Sequence, residues 1–149
     1  MKLNNKGYKL ICQFEGLRLK PYLCSAKIPT IGYGNTYYPN GEKVTLLDKS
    51  ITEIQAFEMF KVIADKYAKR VSEMVKKELN QNQFNSLVSF AYNVGTGNFS
   101  TSTLLKKINV NPNDLTIRNE FAKWNKANKK VIDGLTKRRK AESDLYFKI

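Results

Sequence analysis

Apolar residues recur at helical spacing in most of the chain, beginning near the N-terminus. Between residues 5 and 14 the polar positions form one stripe and the apolar positions another, and Gly16 ends the pattern. This predicts a short first helix. Its apolar stripe contains Tyr8, Ile11 and Cys12. Because successive helical residues are about 100° apart, Glu15 extends that stripe, so a carboxylate is expected where the pattern favours an apolar side chain.

The pattern changes between residues 28 and 45, where isoleucine, threonine and tyrosine concentrate and three glycines appear. Asn40 and Gly41 lie between two pairs of residues typical of strands, 37–38 and 43–44. An Asn-Gly pair tolerates the positive φ angles of a type I′ turn. We therefore predict a small β-hairpin that turns at Asn40 and Gly41.

Helical periodicity then dominates. Residues 52–55 match a capping box, and apolar residues follow at three- and four-residue steps as far as Val75, which predicts a helix of about six turns. A second capping pattern at residues 80–83 opens another helix, which Gly95 ends. Three more helices are predicted, at residues 102–108, 114–124 and 136–147.

These elements predict an α+β fold in a single domain, residues 1–149. The smaller lobe, about residues 14–52, contains the hairpin, and the helical lobe comprises residues 1–13 and 76–149. The long helix, about residues 53–75, is expected to link the lobes and to leave an active-site cleft between them. Trp124 is assigned to the core of the helical lobe.

Composition is ordinary for a globular protein, with 42% hydrophobic and 26% charged residues, which argues against disorder. The charge balance is not ordinary, because 26 basic residues face 13 acidic ones and the net charge is +13. Such a surface attracts polyanions, whether nucleic acid, anionic lipid or the acidic polymers of a bacterial envelope. The sign of the charge alone does not choose among them.

Several classes of protein are disfavoured. No apolar run approaches the roughly 20 residues of a membrane span, and the first residues lack a hydrophobic signal segment, so we expect a protein without a signal peptide that stays in the cytoplasm where it is made. Two cysteines are too few for a disulfide framework, although a bridge between Cys12 and Cys24 stays open. With no histidine and no ligand spacing among the acidic residues, we expect no metal and no cofactor.

One segment carries recognisable chemistry. Residues 14–22 read F-E-G-L-R-L-K-P-Y and residues 29–36 read P-T-I-G-Y-G-N-T, with Glu15, Cys24 and Thr30 separated by eight and five residues. This resembles the phage lysozymes (endolysins) of glycoside hydrolase family 24, whose signature accepts aspartate or cysteine at the second position. The resemblance continues in order through the chain, at residues 81–84, 89–95, 102–105 and 134–142.

The resemblance implies a lysozyme-like fold and a muramidase, which cleaves the β-1,4 bond between N-acetylmuramic acid and N-acetylglucosamine in peptidoglycan. Glu15 would be the general acid, since a carboxyl partly shielded from water stays protonated and can donate to the leaving oxygen. Cys24 and Thr30 would position a water. Cys24 could act as a weak acceptor or attack as a thiolate. The analogy favours water attack with inversion, and the retaining route stays open.

Substrate contacts follow from the same resemblance. The expected substrate-binding residues are Gly32, Tyr33, Gly34, Tyr92, Asn93, Arg138 and Arg139. The two glycines would let the hairpin backbone approach Glu15 or the sugar, although they could equally be plain turn residues, and Tyr92 could be a core residue. Either Arg138 or Arg139 would reach the acid or the carboxylates of the substrate.

The expected partner is bacterial peptidoglycan, met by a monomer after a separate holin-like pore has opened the host membrane. The alternative is a catalytically inactive basic protein that binds peptidoglycan or nucleic acid. Because the lysines spread over every segment and no nucleic-acid-binding motif is present, we expect no nucleic-acid partner, and we expect no stable membrane insertion. Lysine clusters such as residues 129–130 could also hold the protein on an anionic wall.

Overall fold

A computed structural model describes residues 1–149, and seven helices make up 54% of them. The helices are α1 (Asn5–Glu15), α2 (Glu53–Met74), α3 (Gln81–Val94), α4 (Thr96–Thr101), α5 (Thr103–Val110), α6 (Ile117–Ala122) and α7 (Asp133–Tyr146). Two antiparallel pairs of strands complete the fold: β1 (Arg18–Leu23) with β2 (Pro29–Gly32), and β3 (Lys126–Ala127) with β4 (Lys130–Val131). The predicted α+β class is confirmed. None of the helices combines the length and the apolar character that a membrane crossing needs.

The chain forms two compact units. One unit is Ile11–Lys66, and the other combines Met1–Leu10 with Tyr67–Ile149. Helices α1 and α2 each contribute residues to both. The lobe boundaries and the cleft expected from the sequence stay predictions.

Both predicted capping boxes are confirmed. Before α2, the Thr52 backbone N–H donates to Gln55 Oε1 (2.9 Å) and the Gln55 N–H donates to Thr52 Oγ1 (3.1 Å). Before α3, Asn80 and Gln83 exchange the same pair of hydrogen bonds at 2.9 and 2.8 Å. Each box satisfies two backbone donors that the first helical turn leaves without a partner, which explains why these helices begin where they do.

Helix α3 is the centre of the larger unit, because residues 83–91 are all buried. The ring of Phe90 packs edge-on against three other rings, those of Phe99, Phe121 and Trp124, at 6.0, 5.6 and 5.6 Å. Trp124, which was predicted to lie in the core, packs against Phe90 but is only partly buried. At the end of α3, Gly95 adopts φ +93 and stops the helix as predicted.

The predicted hairpin around Asn40 and Gly41 forms only as a short antiparallel pairing, and the type I′ turn predicted for it is wrong. The paired strands are β1 and β2, and around Asn40 only one bridge forms, between Tyr37 and Lys43. The Gly41 N–H donates to the Tyr38 carbonyl at 2.9 Å, which makes Pro39 and Asn40 the central residues of the turn. A type I′ turn needs positive φ at both central residues, whereas the Pro39 ring fixes φ near −65°.

Strand β1, helix α4 and the β3–β4 hairpin are absent from the sequence-based prediction. Helix α4 follows α3 directly, and the short β3–β4 hairpin occupies residues 126–131. The helix predicted over residues 114–124 shortens to the six residues of α6. At the tip of the new hairpin, Asn128 (φ +50) and Lys129 (φ +67) have the two positive φ angles of a type I′ turn. Residues 126–131 contain no Asn-Gly pair, which is the usual sequence signature of such a turn.

Candidate active site

Glu15 is the last residue of α1, and Gly16 ends the helix behind it with φ +68. Its side chain is partly buried, as expected for a carboxylate on the apolar stripe of this helix. A Cβ placed on Gly34 would lie 3.9 Å from Glu15 Oε2. The backbone at Gly34 therefore borders the carboxylate, and a side chain there would face it.

The loop that brings Gly34 to this position is short and well anchored. Ile31 and Asn35 exchange two backbone hydrogen bonds of 2.9 Å each, which close a three-residue loop whose glycines, Gly32 and Gly34, have φ +69 and +87. L-residues rarely adopt such angles, so both glycines are required by the turn. Asn35 is buried, and its Nδ2 donates to the Met59 carbonyl of α2 at 3.4 Å. Sequence reasoning missed this asparagine, although a polar residue directly after a glycine loop is a recognisable pattern.

Tyr33, at the centre of the same loop, is partly buried with its ring 5.6 Å from the ring of Phe60. Burial is the main cause that raises the pKa of its hydroxyl. This packing against α2 fixes the loop from one side. The predicted contact of Tyr33 with substrate stays a prediction.

Cys24 lies directly after β1, in the turn that leads to β2. Its carbonyl accepts from the Lys27 N–H (2.8 Å), and its own N–H donates to the Ile28 carbonyl (3.1 Å). Backbone N–H groups of Ile28 and Ala26, followed by the Thr30 hydroxyl, hold the pKa of the Cys24 thiol below its ordinary 9.0, because they favour a charged sulfur. The turn thus surrounds the sulfur with donors that favour the thiolate.

Thr30 is 3% exposed, and its Oγ1 donates to the Ile28 carbonyl at 2.8 Å. A hydroxyl has one proton to donate and two acceptor sites. Donation of that proton to the Ile28 carbonyl and donation to the Cys24 sulfur are therefore alternatives for the one hydroxyl, and in either case its oxygen can accept from a water. Cys24 and Thr30 are therefore neighbours in the structure, as their spacing in the motif predicts.

The other cysteine has the opposite environment. Burial, followed by the negative charge of Glu15, raises the pKa of Cys12 from 9.0 to about 12. Cys12 and Cys24 are both free thiols, so the bridge left open by the sequence is not formed.

Alkylation of the two thiols should therefore differ strongly. The rise of the Cys12 pKa to about 12 lowers its thiolate fraction at neutral pH about a thousandfold, whereas the pKa of Cys24 is lowered. Iodoacetamide at neutral pH is expected to label Cys24 long before Cys12, with a Cys24 rate that rises with pH and reaches half its maximum below pH 9. Peptide mass spectrometry over time measures both rates. Equal labelling of the two cysteines in the folded protein would contradict this assignment.

The remaining predicted substrate residues belong to the larger unit. Tyr92 is partly buried, with its ring 5.0 Å from the ring of Tyr67 on α2. Asn93 is exposed, and its Oδ1 accepts a hydrogen bond of 2.5 Å from Arg139 Nη2. The arginine therefore holds the amide of Asn93 in one orientation and leaves its NH₂ group available to a ligand.

Arg138 and Arg139 are almost fully buried, at 3% and 1% exposure, around the carboxylate of Glu142. Their Nε atoms lie 3.3 and 3.1 Å from the Glu142 oxygens, and the Ser89 hydroxyl donates to the same carboxylate at 2.5 Å. Burial raises the pKa of Glu142 and lowers that of Arg139, while the ion pairs oppose both shifts. The contact of either arginine with substrate stays a prediction, and the structure gives both a structural partner.

The predicted residues therefore fall into two groups, each within one unit. The unit of residues 11–66 contains Glu15, Cys24, Thr30, Gly32, Tyr33 and Gly34, and the larger unit contains Tyr92, Asn93, Arg138 and Arg139. The first group offers a carboxyl group, a thiol whose pKa is lowered and a hydroxyl. No group of three or more histidine, cysteine or acidic side chains is arranged to hold a metal ion.

Comparison with known proteins places this arrangement in context. The family described as phage lysozyme matches residues 12–142. The endolysin of Bacillus phage B103 is 40% identical over 99% of this chain and 54% of its own length, so the chain spans about half the length of that relative. The endolysin of Acyrthosiphon pisum secondary endosymbiont phage 1 is 37% identical over 98% of both chains.

A solved structure matches over nearly the full length. The endolysin from Escherichia coli O157:H7 phage FAHEc1 superposes with a TM-score of 0.90 at 35% identity, covering 99% of this chain and 94% of that one. The small hairpin and the mostly helical body described above are thus shared with this protein.

Proposed function

This chain belongs to the phage lysozyme family and has its lysozyme-like fold, and from that premise we propose that it hydrolyses the β-1,4 bond between N-acetylmuramic acid and N-acetylglucosamine in peptidoglycan. The observation that carries the proposal is the Glu15 carboxyl at the end of α1, which borders Gly34 so closely that a Cβ added there would lie 3.9 Å from Glu15 Oε2. Its role in the infection cycle is that of an endolysin, which opens the host wall.

Glu15 supplies the proton. Cleavage of a glycosidic bond leaves an alkoxide-like oxygen and a positive charge on the sugar ring, so a carboxylic acid beside the bond lowers the barrier by protonating that oxygen. The partly buried position of Glu15 and the absence of a side chain at Gly34 support this role. They leave room for the substrate oxygen to approach the acid.

Cys24 and Thr30 act on water in this proposal. Thr30 Oγ1 holds the water, and the thiolate form of Cys24 takes its proton as the oxygen attacks the sugar carbon from the face opposite the leaving group. The departing oxygen takes the proton of Glu15, and the sugar carbon is inverted. The donors around Cys24 support this role because they stabilise a negative charge on its sulfur. Attack by the thiolate itself is the second route, and it would retain the configuration after two steps.

Substitution at Cys24 distinguishes these roles. In a Cys24→Ala chain the rate of hydrolysis is expected to fall by a factor of about 10², since the proton of the water has no acceptor. Cys24→Asp should keep most of the activity because a carboxylate accepts the same proton. NMR of the first product formed reports its anomeric configuration, and inversion is expected in both the wild type and Cys24→Asp. An undiminished rate in Cys24→Ala would remove Cys24 from the mechanism, and retention would favour direct thiolate attack.

The substrate is held by two sets of residues. Gly32, Tyr33 and Gly34 present the loop backbone to the sugar, and the side chains of Tyr92 and Asn93 contact the sugar ring and its N-acetyl group. Arg139 then acts as a positioning residue through its bond to Asn93 Oδ1, which leaves the amide NH₂ to donate. Arg138 supports the same cluster through Glu142.

Delivery is a separate part of the proposal. The protein acts as a monomer, is held in the host cytoplasm, and reaches the wall after a separate pore opens the membrane. Expression of the protein alone should then leave host cells intact, and co-expression with a pore-forming protein should lyse them. Lysis by the protein alone would contradict this route and leave the hydrolysis unaffected.

A suspension of purified peptidoglycan tests the function. The wild-type protein is expected to clear it with release of new reducing sugar ends and no release of free amino groups. Binding without clearing would favour the alternative, an inactive basic protein that only attaches to the wall.

A further inference from the structure

The positive charge is distributed unequally between the two units. Residues 11–66 contain seven basic and six acidic side chains, a net charge of +1, whereas the larger unit contains nineteen basic and seven acidic ones, a net charge of +12. The sequence suggests lysines spread evenly over every segment. Division of the chain into its structural units shows that a polyanion would meet the larger unit.

Within the larger unit, the β3–β4 hairpin is a purely basic element. Lys126, Lys129 and Lys130 occur within six residues without an acidic side chain among them, and all three are exposed. None of them has an ion-pair partner, whereas Lys123 and Lys140 beside the hairpin are paired with acidic residues of their own helices. The hairpin therefore keeps three uncompensated charges available to a ligand.

The backbone of this hairpin is strained at the lysine of its tip. Lys129 has φ +67 directly after Asn128 at φ +50. Glycine adopts this conformation without cost, whereas a side chain there is disfavoured, and such strain persists mainly where function needs the side chain. A lysine at this position thus indicates a role for its charge at the tip.

The register of the strands shows what shape of partner fits. Lys126 is opposite Val131 and Lys130 is opposite Ala127, so the two lysines lie on opposite faces of the ribbon, with Lys129 at the tip between them. A flat membrane would reach only one face, and the tip carries no apolar side chain to insert. No aromatic side chain lies in the hairpin to stack on nucleic-acid bases. A flexible anionic chain can contact all three charges.

We propose that the hairpin of residues 126–131 binds a flexible, phosphodiester-linked anionic polymer attached to the bacterial wall. The inference rests on the proposed function, which brings the protein to the wall. The choice of ligand rests on the charges and the shape of the hairpin itself. Lysine presents its ammonium as a point charge that phosphate groups accept without strict geometry, which suits a polymer of repeating phosphates. The hairpin would hold the protein on its substrate while the catalytic residues act.

Binding to intact walls tests the proposal without interference from hydrolysis. All variants carry Glu15→Gln, and cosedimentation is measured on walls that bear a phosphodiester-linked polymer and on the same walls after hydrofluoric acid has removed it. The test variant replaces Lys126, Lys129 and Lys130 by glutamine. The control replaces Lys2, Lys6 and Lys9, three exposed lysines of the same unit, and changes the net charge equally.

The hairpin variant is expected to bind polymer-bearing walls about tenfold more weakly, and the control less than twofold, at moderate salt. Removal of the polymer should abolish the difference between the two. If both variants lost binding equally, the net charge alone would explain the loss and the proposal would be overturned. A difference that persists on stripped walls, or that appears instead with anionic phospholipid vesicles, would overturn it as well.

Two single substitutions at Lys129 exclude unfolding as the cause of weaker binding. Lys129→Gly removes the charge together with the backbone strain, so it should weaken binding while raising the melting temperature by about 2 °C. Lys129→Gln removes the charge and keeps the strain, so it should weaken binding equally without that gain. Unchanged binding in both would overturn the role of Lys129. Wild-type hydrolysis is read separately, so failure of the hairpin and failure of the proposed activity remain distinguishable.

Discussion

A Glu15→Gln chain is expected to lose peptidoglycan hydrolysis by a factor of about 10² to 10⁴ while remaining folded. Glutamine keeps the size and the hydrogen-bonding reach of the side chain but has no acidic proton, and a general acid accounts for a rate effect of this order. The side chain is only partly buried at the helix end, so the melting temperature should change by no more than about 2 °C. The initial rate of clearing, with equal protein concentrations, measures the effect.

The matched control for this variant is Glu42→Gln. Glu42 is an exposed glutamate in the same unit, and its substitution changes the net charge by the same amount. The Glu42→Gln chain should clear peptidoglycan at the wild-type rate. If Glu15→Gln retained a tenth or more of the wild-type rate, Glu15 would not be the acid.

The largest effect on stability is expected at Glu142. Its carboxylate is fully buried between Arg138 and Arg139 and accepts from the Ser89 hydroxyl. Substitution by glutamine removes the negative charge that both buried guanidinium groups face, and loss of one partner in a buried ion pair costs about 3–5 kcal/mol. For a domain of this size, that loss corresponds to a fall in melting temperature of roughly 10 °C.

Asp144 provides the control on the same helix. Its carboxylate pairs with Arg118 at 2.5 Å and Lys140 at 2.7 Å, but these side chains are 46% and 75% exposed, so water screens the interactions. Asp144→Asn should therefore cost less than about 1 kcal/mol. Urea unfolding of both variants measures the difference. Equal stabilities would mean that the buried cluster contributes no more than a surface ion pair.

The two capping boxes could be predicted from sequence because the interaction is local. Thr52 with Gln55, and Asn80 with Gln83, satisfy each other within one turn, so no distant contact decides the outcome. The turn of the hairpin around Asn40 could not be predicted correctly by the same means. Pro39 precedes the Asn-Gly pair and shifts the centre of the turn by one residue, which removes the type I′ geometry.

Strands β1 and β2 were harder to recognise because their sequences do not alternate. All six residues of β1 are exposed or only partly buried, whereas β2 is largely buried, so neither shows the period of two that identifies a half-buried strand. The β3–β4 hairpin has strands of only two residues, and its turn uses Asn128 and Lys129 without a glycine. A pattern based on glycine does not find it.

Some features of the candidate site could likewise be predicted from local sequence, and others depend on tertiary packing. Glu15, Cys24 and Thr30 are identified by their spacing in a short motif, and the neighbouring positions of Cys24 and Thr30 follow from one turn of the chain. The burial of Arg139 and its bond to Asn93 depend on how two helices distant in sequence, α3 and α7, pack together. The two opposite shifts of cysteine pKa also depend on tertiary surroundings, so the sequence could identify the thiols without predicting which one is reactive.

Analysis of the new chain ends tests the central claim most directly. Purified peptidoglycan is digested with wild-type protein, the products are reduced with borohydride, and the reduced sugar at each new end is identified by mass spectrometry. The account predicts reduced N-acetylmuramic acid at the new ends, and none above background with Glu15→Gln. New ends at N-acetylglucosamine, free amino groups from cut peptides, or equal yields from both proteins would contradict it.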